Sequence, residues 1–455
     1  MKDKQTFIYI LLGVALCCGE SSVSSARVLS HGSTPLEMNS SETQAPEEYS
    51  FDADSWRSIF VDAQLRTLIE QGLERNTDLN VARLRIDQAE ASLKAARLAF
   101  LPSLAFSPTA GISTFGNSPA SKTYSLPLQA SWQVDLFGKL KNAKQQQKML
   151  VESSKAYQQA VQVNLVANIA RQYYTYALLD SQLSLAQQSV GLWDETVRAM
   201  KAFMEEGQYT DAAVSQAEAS REQVKSTALD LQQQMREALN SIRVLVGDST
   251  NSVAITPSAE SLSAGIRIDT QSVPLQRLSS RHDVRQAEMN LAASIYATKE
   301  ARAAFYPSLT LSGTAGWTNS SGVIMNPGKL LLEALASLTQ PIFKNGKLKA
   351  ELAIRKSQQE EARLQFQHSL LNAGAEVNNA LTQAQTYADK SSLLENQVKA
   401  LERTVKSTHL LQQNGSSNYL EVLTAQENLL SAQMSQLQNI YNKVASQIAL
   451  YQAMP

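Results

Sequence analysis

Cysteine is confined to the start of this chain, at Cys17 and Cys18. Past those two positions disulfides and thiolate-bound metals are excluded. Aromatic residues make up only 6% of the sequence. The helical parts are crowded with Ala, Gln, Leu and Ser, which suits long, thin, closely packed helices better than one thick core. After the N-terminus no stretch approaches the ~20 uninterrupted apolar residues of a membrane-spanning helix. The net charge is −1, so no general electrostatic footprint for nucleic acid exists. His31, His282, His368 and His409 are scattered and lack metal-ligand spacing. No glycine-rich phosphate loop or nucleophile elbow occurs, so an enzymatic reading has no anchor and no cofactor is implied.

What is present begins with an export signal. Lys2 and Lys4 precede an apolar run from Phe7 to Cys18, too short and wrongly flanked for a spanning helix. Ser24-Ser25-Ala26 offers small residues for ordinary signal cleavage, so residues 1–26 read as signal peptide. Cys17 and Cys18 offer the alternative of lipoprotein processing, with the signal ending at 16 or 17. Residues 27–51, rich in Ser, Thr, Glu and Pro, read as a flexible tether.

The stretch Lys94-Ala95-Ala96-Arg97-Leu98-Ala99-Phe100-Leu101-Pro102-Ser103-Leu104 returns at a constant offset as Lys299-Glu300-Ala301-Arg302-Ala303-Ala304-Phe305-Tyr306-Pro307-Ser308-Leu309. Both copies end an Ala-rich helical pattern at a proline, which disfavours helix in the residue before it and brings no amide donor. The duplication predicts a two-repeat protein: residues 52–247, a connector over 248–280, and residues 281–455. The first organised helix is expected through Trp56, Ile59, Phe60, Leu65, Leu68, Ile69 and Leu73. Three-four seams follow, Leu79, Ala82, Ile86, Ala89, Leu93 and Ala96 in one half, and Val284, Ala287, Leu291, Ser294, Thr298 and Ala301 in the other. Such seams specify knobs-into-holes packing of nearly parallel helices.

After each proline the period changes to two. Leu104, Phe106, Ala110 and Ile112 alternate with small or polar residues, and Leu126, Leu128, Ala130, Trp132 and Val134 form the return strand. Leu309, Leu311, Ala315 and Trp317 do the same in the second half, with a return strand expected at roughly Leu332 to Ile342. By periodicity alone these runs fit either a soluble, half-buried hairpin or strands of the ~9–11 residues that cross a bilayer. Two long proline-free helices follow, starting after Gly138 and Gly346 and running to glycine turns at Gly207 and Gly415. Four membrane-length strands cannot close a barrel, because about eight is the minimum. If they span, several chains share one barrel, and three chains supply twelve strands.

The two halves resemble the TolC/OprM outer-membrane efflux protein family, nearest its lipoprotein branch that serves resistance-nodulation-division pumps. The matching stretches include Trp56 to Phe60, Arg281-His282-Asp283-Val284-Arg285-Gln286-Ala287-Glu288, and both Phe-x-Pro-Ser-Leu segments. Trp132 to Lys139, Gln340 to Leu348, and Gly415 through Tyr419 to Gln426 also match. The resemblance implies a mostly α, α+β fold: four transmembrane strands per chain, a twelve-stranded barrel in a homotrimer, and a long α-helical periplasmic tunnel. It implies an outer-membrane exit duct for drugs or other small molecules. Its partners would be outer-membrane lipid, a periplasmic adaptor (membrane fusion protein) and an inner-membrane transporter of the resistance-nodulation-division type. Metal-ion efflux, type I polypeptide secretion and, from a different class, a structural coiled-coil surface protein are the alternatives. Adaptor-docking tips would be Gly207, Val214 and Ala217 in the first half and Gly415, Val422 and Ala425 in the second. Glu421 occupies the position of an acidic periplasmic gate, while Thr424 stands where some members carry a second carboxylate. His282 replaces a proline usual in the family, which is expected to loosen the start of its helix.

Overall fold

The structure, a computed structural model, describes residues 56–114, 116, 120–250, 252–256, 266, 275–319, 329–413 and 419–454. Cys17, Cys18 and Gly415 lie outside the described residues.

The chain opens with α1 (Trp56–Ile59) and α2 (Ala63–Arg75) rather than one continuous helix. Asp62 divides them: its carboxylate accepts hydrogen bonds from the backbone amides of Gln64 and Leu65, capping α2. Asp62 also accepts a 2.8 Å hydrogen bond from the Tyr173 hydroxyl, which fixes the cap against the core. Next come α3 (Thr77–Leu98), β1 (Ser103–Phe106), β2 (Thr109–Ser113) and β3 (Ser121–Val134). They lead into the long hairpin α4 (Lys139–Glu205) and α5 (Asp211–Val246). The second repeat has a 3₁₀ turn (Leu275–Ser280), α6 (His282–Ala303), β4 (Ser308–Asn319), β5 (Lys329–Thr339), α7 (Lys347–Gln413) and α8 (Tyr419–Ala453). Helices α3 and α6 both have 22 residues, and each gives way to a strand just past its proline. Helices α4 and α7 have 67 residues each, about 100 Å at 1.5 Å per residue.

The strands form one antiparallel sheet in the order β1–β3–β4–β5, with β2 continuing the β1 edge along β3. Register is the same on both sides of the β1/β2 break, so these two pieces are a single strand interrupted at Ser107 and Pro108. The interruption faces Pro127, and neither proline has an amide to give the ladder. Strand β5 lies earlier than the alternation alone predicts, ending at Thr339 rather than Ile342. Pro341 cannot join a ladder, and Ile342 is fully exposed beyond it.

Along the half of α4 nearest the sheet lie α3, through Arg85 over the Tyr157 ring, and α6, through Ser153 and Asn290. Its far half pairs with α5 through Lys201–Glu218 and Asp194–Arg221. Helix α7 meets α6 at Thr298 and then α8, where the Asn439 amide donates to the Tyr387 carbonyl and the Ser391 hydroxyl. One core lies midway along these helices, with Trp56, Phe60, Tyr173, Tyr174, Ile242 and Ile448 buried together. A second extends toward the α4/α5 turn and contains Trp193, Val197, Met200, Val214, Ala217 and Leu423. The expected three-four seams turn inward at Leu79, Ala82 and Leu93 of α3 and at Val284, Thr298 and Ala301 of α6, and Trp193, Tyr173 and Tyr174 are packing residues.

Candidate functional site

Register sorts every strand residue onto one of two faces. One continuous row runs Leu104, Ala130, Gly313, Ala334; the next runs Phe106, Leu128, Ala315, Leu332. Trp132 stands beside Leu311 and Ala336, and Leu126 beside Trp317 and Leu330. The opposite face carries Ser103, Ser131, Ser312, Gln129, Thr314 and Glu333, with Leu331 and Leu335 of β5 the large apolar side chains among them. Among the described residues no helix covers the apolar face: Leu104 is 70% exposed, Leu332 72% and Leu338 66%. A half-buried soluble hairpin would have packed these side chains away, so that reading fails. A large contiguous apolar sheet face opposite a polar one is the pattern of a barrel wall between lipid and a watery lumen.

At the other end of α4 the first turn closes on Gly207. Its φ of +75° lies in the left-handed region. The Gly207 amide donates to the Met204 carbonyl at 2.9 Å and the Gln208 amide to the Phe203 carbonyl at 2.8 Å, a Schellman-type stop. Thr210 caps α5, its hydroxyl accepting from the Ala213 amide. Val214, Ala217, Val422 and Ala425 all point inward and are buried, so they hold the shape of the tips. Val422 also lines an open groove of about 420 Å³ between the two hairpins, with Leu192, Thr196, His409 and Gln426. Glu421 is exposed in the first turn of α8, where a carboxylate also suits the helix dipole.

Sequence reading missed two features of these parts. The first is an aromatic relay joining the tips: Phe203 meets Tyr209 and Tyr209 meets Tyr419, each edge-on at 5.6 Å. Tyrosines close behind both glycine turns were the available signal. The second is a buried cation at the start of α6. Arg281, with its side chain 8% exposed, donates to Asp283 at 2.6 Å and to Glu376 of α7 at 2.8 Å. It also donates to the Ala453 carbonyl at the end of α8. The start of α6 is thus clamped rather than loosened. His282 occupies the first helical position, where proline is well tolerated.

Titration at this clamp follows from burial and charge. Burial opposes ionisation of Asp283, but hydrogen bonds from Arg281 and the Val284 amide hold its pKa below the ordinary carboxylate value. Burial, assisted by Arg285 and opposed by Asp283, pushes the His282 pKa down. The His282 Nδ1 is shielded from solvent without a hydrogen-bond partner. Among the described residues no cluster of His, Cys, Asp or Glu is arranged to hold a metal ion.

The sequence profile of the outer membrane efflux protein family matches residues 68–248 and 273–454. The chain is 29% identical over 408 residues to the cation efflux system protein CusC of Escherichia coli O157:H7, covering 88% of this chain and 87% of that protein. It is 27% identical over 414 residues to the antibiotic efflux pump outer membrane protein ArpC of Pseudomonas putida, covering 88% and 84%. A crystal structure of CusC superimposes with a TM-score of 0.80 at 26% identity, covering 92% of this chain and 98% of that one. With both repeats matched and the fold shared nearly end to end, the chain belongs to the outer membrane efflux protein family.

Proposed function

We propose that three copies of the chain close one twelve-stranded barrel in the outer membrane and one helical tunnel below it. In this reading the protein is the passive exit duct of a tripartite efflux system. One observation carries it: the sheet leaves both outer edges, β1/β2 and β5, without a partner among the described residues, and its apolar face uncovered. In lipid each unpaired backbone group costs several kcal/mol, so an open four-strand sheet demands other copies to pair with. The tunnel side would receive a periplasmic adaptor at the tips built by Gly207, Val214, Ala217, Gly415, Val422 and Ala425, beside the groove at Leu192 and His409. The adaptor would link the duct to an inner-membrane transporter of the resistance-nodulation-division type. Lipid attached at Cys17 or Cys18 would add an anchor.

Cargo is set by the inner pump rather than by this chain, and drugs or other small molecules are the first reading. Cations are the second, favoured by similarity to a protein named for cation efflux. Glu421 would sit where three tips converge, and three carboxylates there would favour cations and bind multivalent ones.

The test is single-channel recording of purified protein with its mass measured in detergent. A trimer passing current is expected, blocked by a trivalent cation added at the tunnel end, with Glu421→Gln raising the blocking concentration. A monomeric mass without current sinks the duct. An unchanged block in the variant leaves Glu421 as a solvated helix residue.

A further inference from the structure

Where the strands meet the helices, the chain carries an unusual charge. Within 94–102, 135–144, 299–307 and 340–351 there are ten Lys and Arg against three carboxylates, although the whole chain is nearly neutral. Four of these cations occupy equivalent places in both repeats. Lys94 and Arg97 at the end of α3 match Lys299 and Arg302 at the end of α6, and Lys139 and Lys141 opening α4 match Lys347 and Lys349 opening α7. All eight are exposed.

The lysines that open α4 and α7 stand at the wrong end of their helices. A helix N-terminus carries positive partial charge, so a cation there costs a few tenths of a kcal/mol or more. Neither helix has an acidic residue in its first turn. A local rule broken in both repeats leaves these cations suited to a further anion from outside the chain. Of the three carboxylates, Asp135 accepts from the Lys141 amide at the start of α4, Glu300 lies within the field of Lys139 and Arg355, and Glu351 pairs with Arg355, so three carboxylates stand against ten cations.

Aromatic side chains place this collar against the edge of the apolar band. Trp132, on the apolar face, donates its indole N–H to the Phe100 carbonyl at 2.8 Å. Lys144 Nζ lies 5.3 Å from the ring centroid of the same Phe100, so this cation stands close to the end of the strand that carries Trp132. Phe137 stacks on Tyr306 at 5.0 Å, both exposed, and Phe343 is exposed nearby in sequence. Exposed aromatic rings with basic side chains just beyond an apolar band are the signature of a bilayer interface.

We propose that this collar binds the headgroups of anionic phospholipids in the leaflet on the helical side of the membrane. The lysines of α4 and α7 would meet the phosphates, and the aromatic rings would lie at headgroup depth. The surface is distinct from the tips and from the lumen.

The test uses full-length protein in phosphatidylcholine bilayers doped, at equal mole fraction, with brominated phosphatidylcholine or brominated phosphatidylglycerol. Trp317→Phe leaves Trp132 as the one tryptophan on the apolar face, because Trp56 and Trp193 are buried in the helical cores. Trp132 should be quenched more by the glycerol lipid, corresponding to a local enrichment of about threefold or more, since one surface cation is worth roughly fivefold. About 1 M salt should erase the preference, and so should Lys139, Lys141 and Lys144 changed together to Gln. Trp317, reported alone in Trp132→Phe, lies toward the other end of the strands and should show no preference. Equal quenching of Trp132 by the two lipids, or a preference that survives the triple change, overturns the collar while leaving the sheet in the bilayer. If the triple variant fails to assemble, the salt titration of the Trp317→Phe protein decides. Absence of quenching by either lipid overturns both the collar and the barrel.

Discussion

Replacing Gly316 by alanine should prevent β3 and β4 from closing on each other. A Cβ built at Gly316 would lie 2.8 Å from the Pro127 Cα and nearer still to the Leu126 carbonyl oxygen. Both obstacles are backbone, so no side chain can swing aside, and the strands must separate across Leu126–Trp317, Pro127–Gly316 and Leu128–Ala315. Pro127 turns its carbonyl to the Ser107 amide on its other side, so the Pro127–Gly316 pair holds no backbone hydrogen bond that would resist separation of β3 from β4. The cost should reach the upper end of overpacking penalties, about 3 kcal/mol per chain, and every copy in an oligomer bears it. Gly313, three residues earlier on the same strand, is the control. Its Cβ would meet the Glu333 carbonyl oxygen at 3.6 Å, an ordinary contact. Gly313→Ala should therefore fold normally and gain slightly from the reduced freedom of the unfolded chain. The assay is the fraction of heat-resistant oligomer extracted from membranes, with a denaturation midpoint measured at fixed protein concentration. If Gly316→Ala assembles as fully and unfolds at the same midpoint as Gly313→Ala, the close approach at Pro127 is not what specifies this seam.

Three further outcomes are expected. Gly207→Ala meets no steric obstacle but must hold φ near +75°, so it should cost about 1 kcal/mol and show as faster amide exchange at the α4/α5 tip with the barrel unaffected. Arg281→Met should destabilise the helical part by about 2–4 kcal/mol, less than for a fully buried pair because Asp283 and Glu376 remain half-exposed; a thermal midpoint unchanged from the parent protein would show the clamp to be idle. Acidification should weaken the same junction, because folding depresses both the His282 and Asp283 pKa values, and stability held at neutral pH is then lost as pH falls. His282→Asn should flatten the part of that loss beginning at about pH 6.5, and Asp283→Asn the part at lower pH, in midpoints compared between variant and parent.

The sequence by itself determined the two repeats, the helix-to-strand change at Pro102 and Pro307, and the long helices that start after Gly138 and Gly346. These are local matters: proline removes an amide wherever it stands, and a three-four or two-residue period is written in neighbouring side chains. The inward rows of the seams, Leu79, Ala82 and Leu93 in one half and Val284, Thr298 and Ala301 in the other, were legible for the same reason. Tertiary structure alone decided which strand lies beside which. The β3–β4 pairing joins the two repeats across more than 170 residues, and no local pattern encodes that choice. It alone divided α1 from α2, because Asp62 caps one helix while also taking the hydroxyl of Tyr173 from another. Arg281 opens a family-like stretch of the sequence, but its place as a buried clamp came only with Glu376 and the Ala453 carbonyl, brought to it from two other helices. The alternation of β1 to β5 could not tell a buried face from a lipid-facing one, since both are apolar. The fold settled that by leaving the face bare.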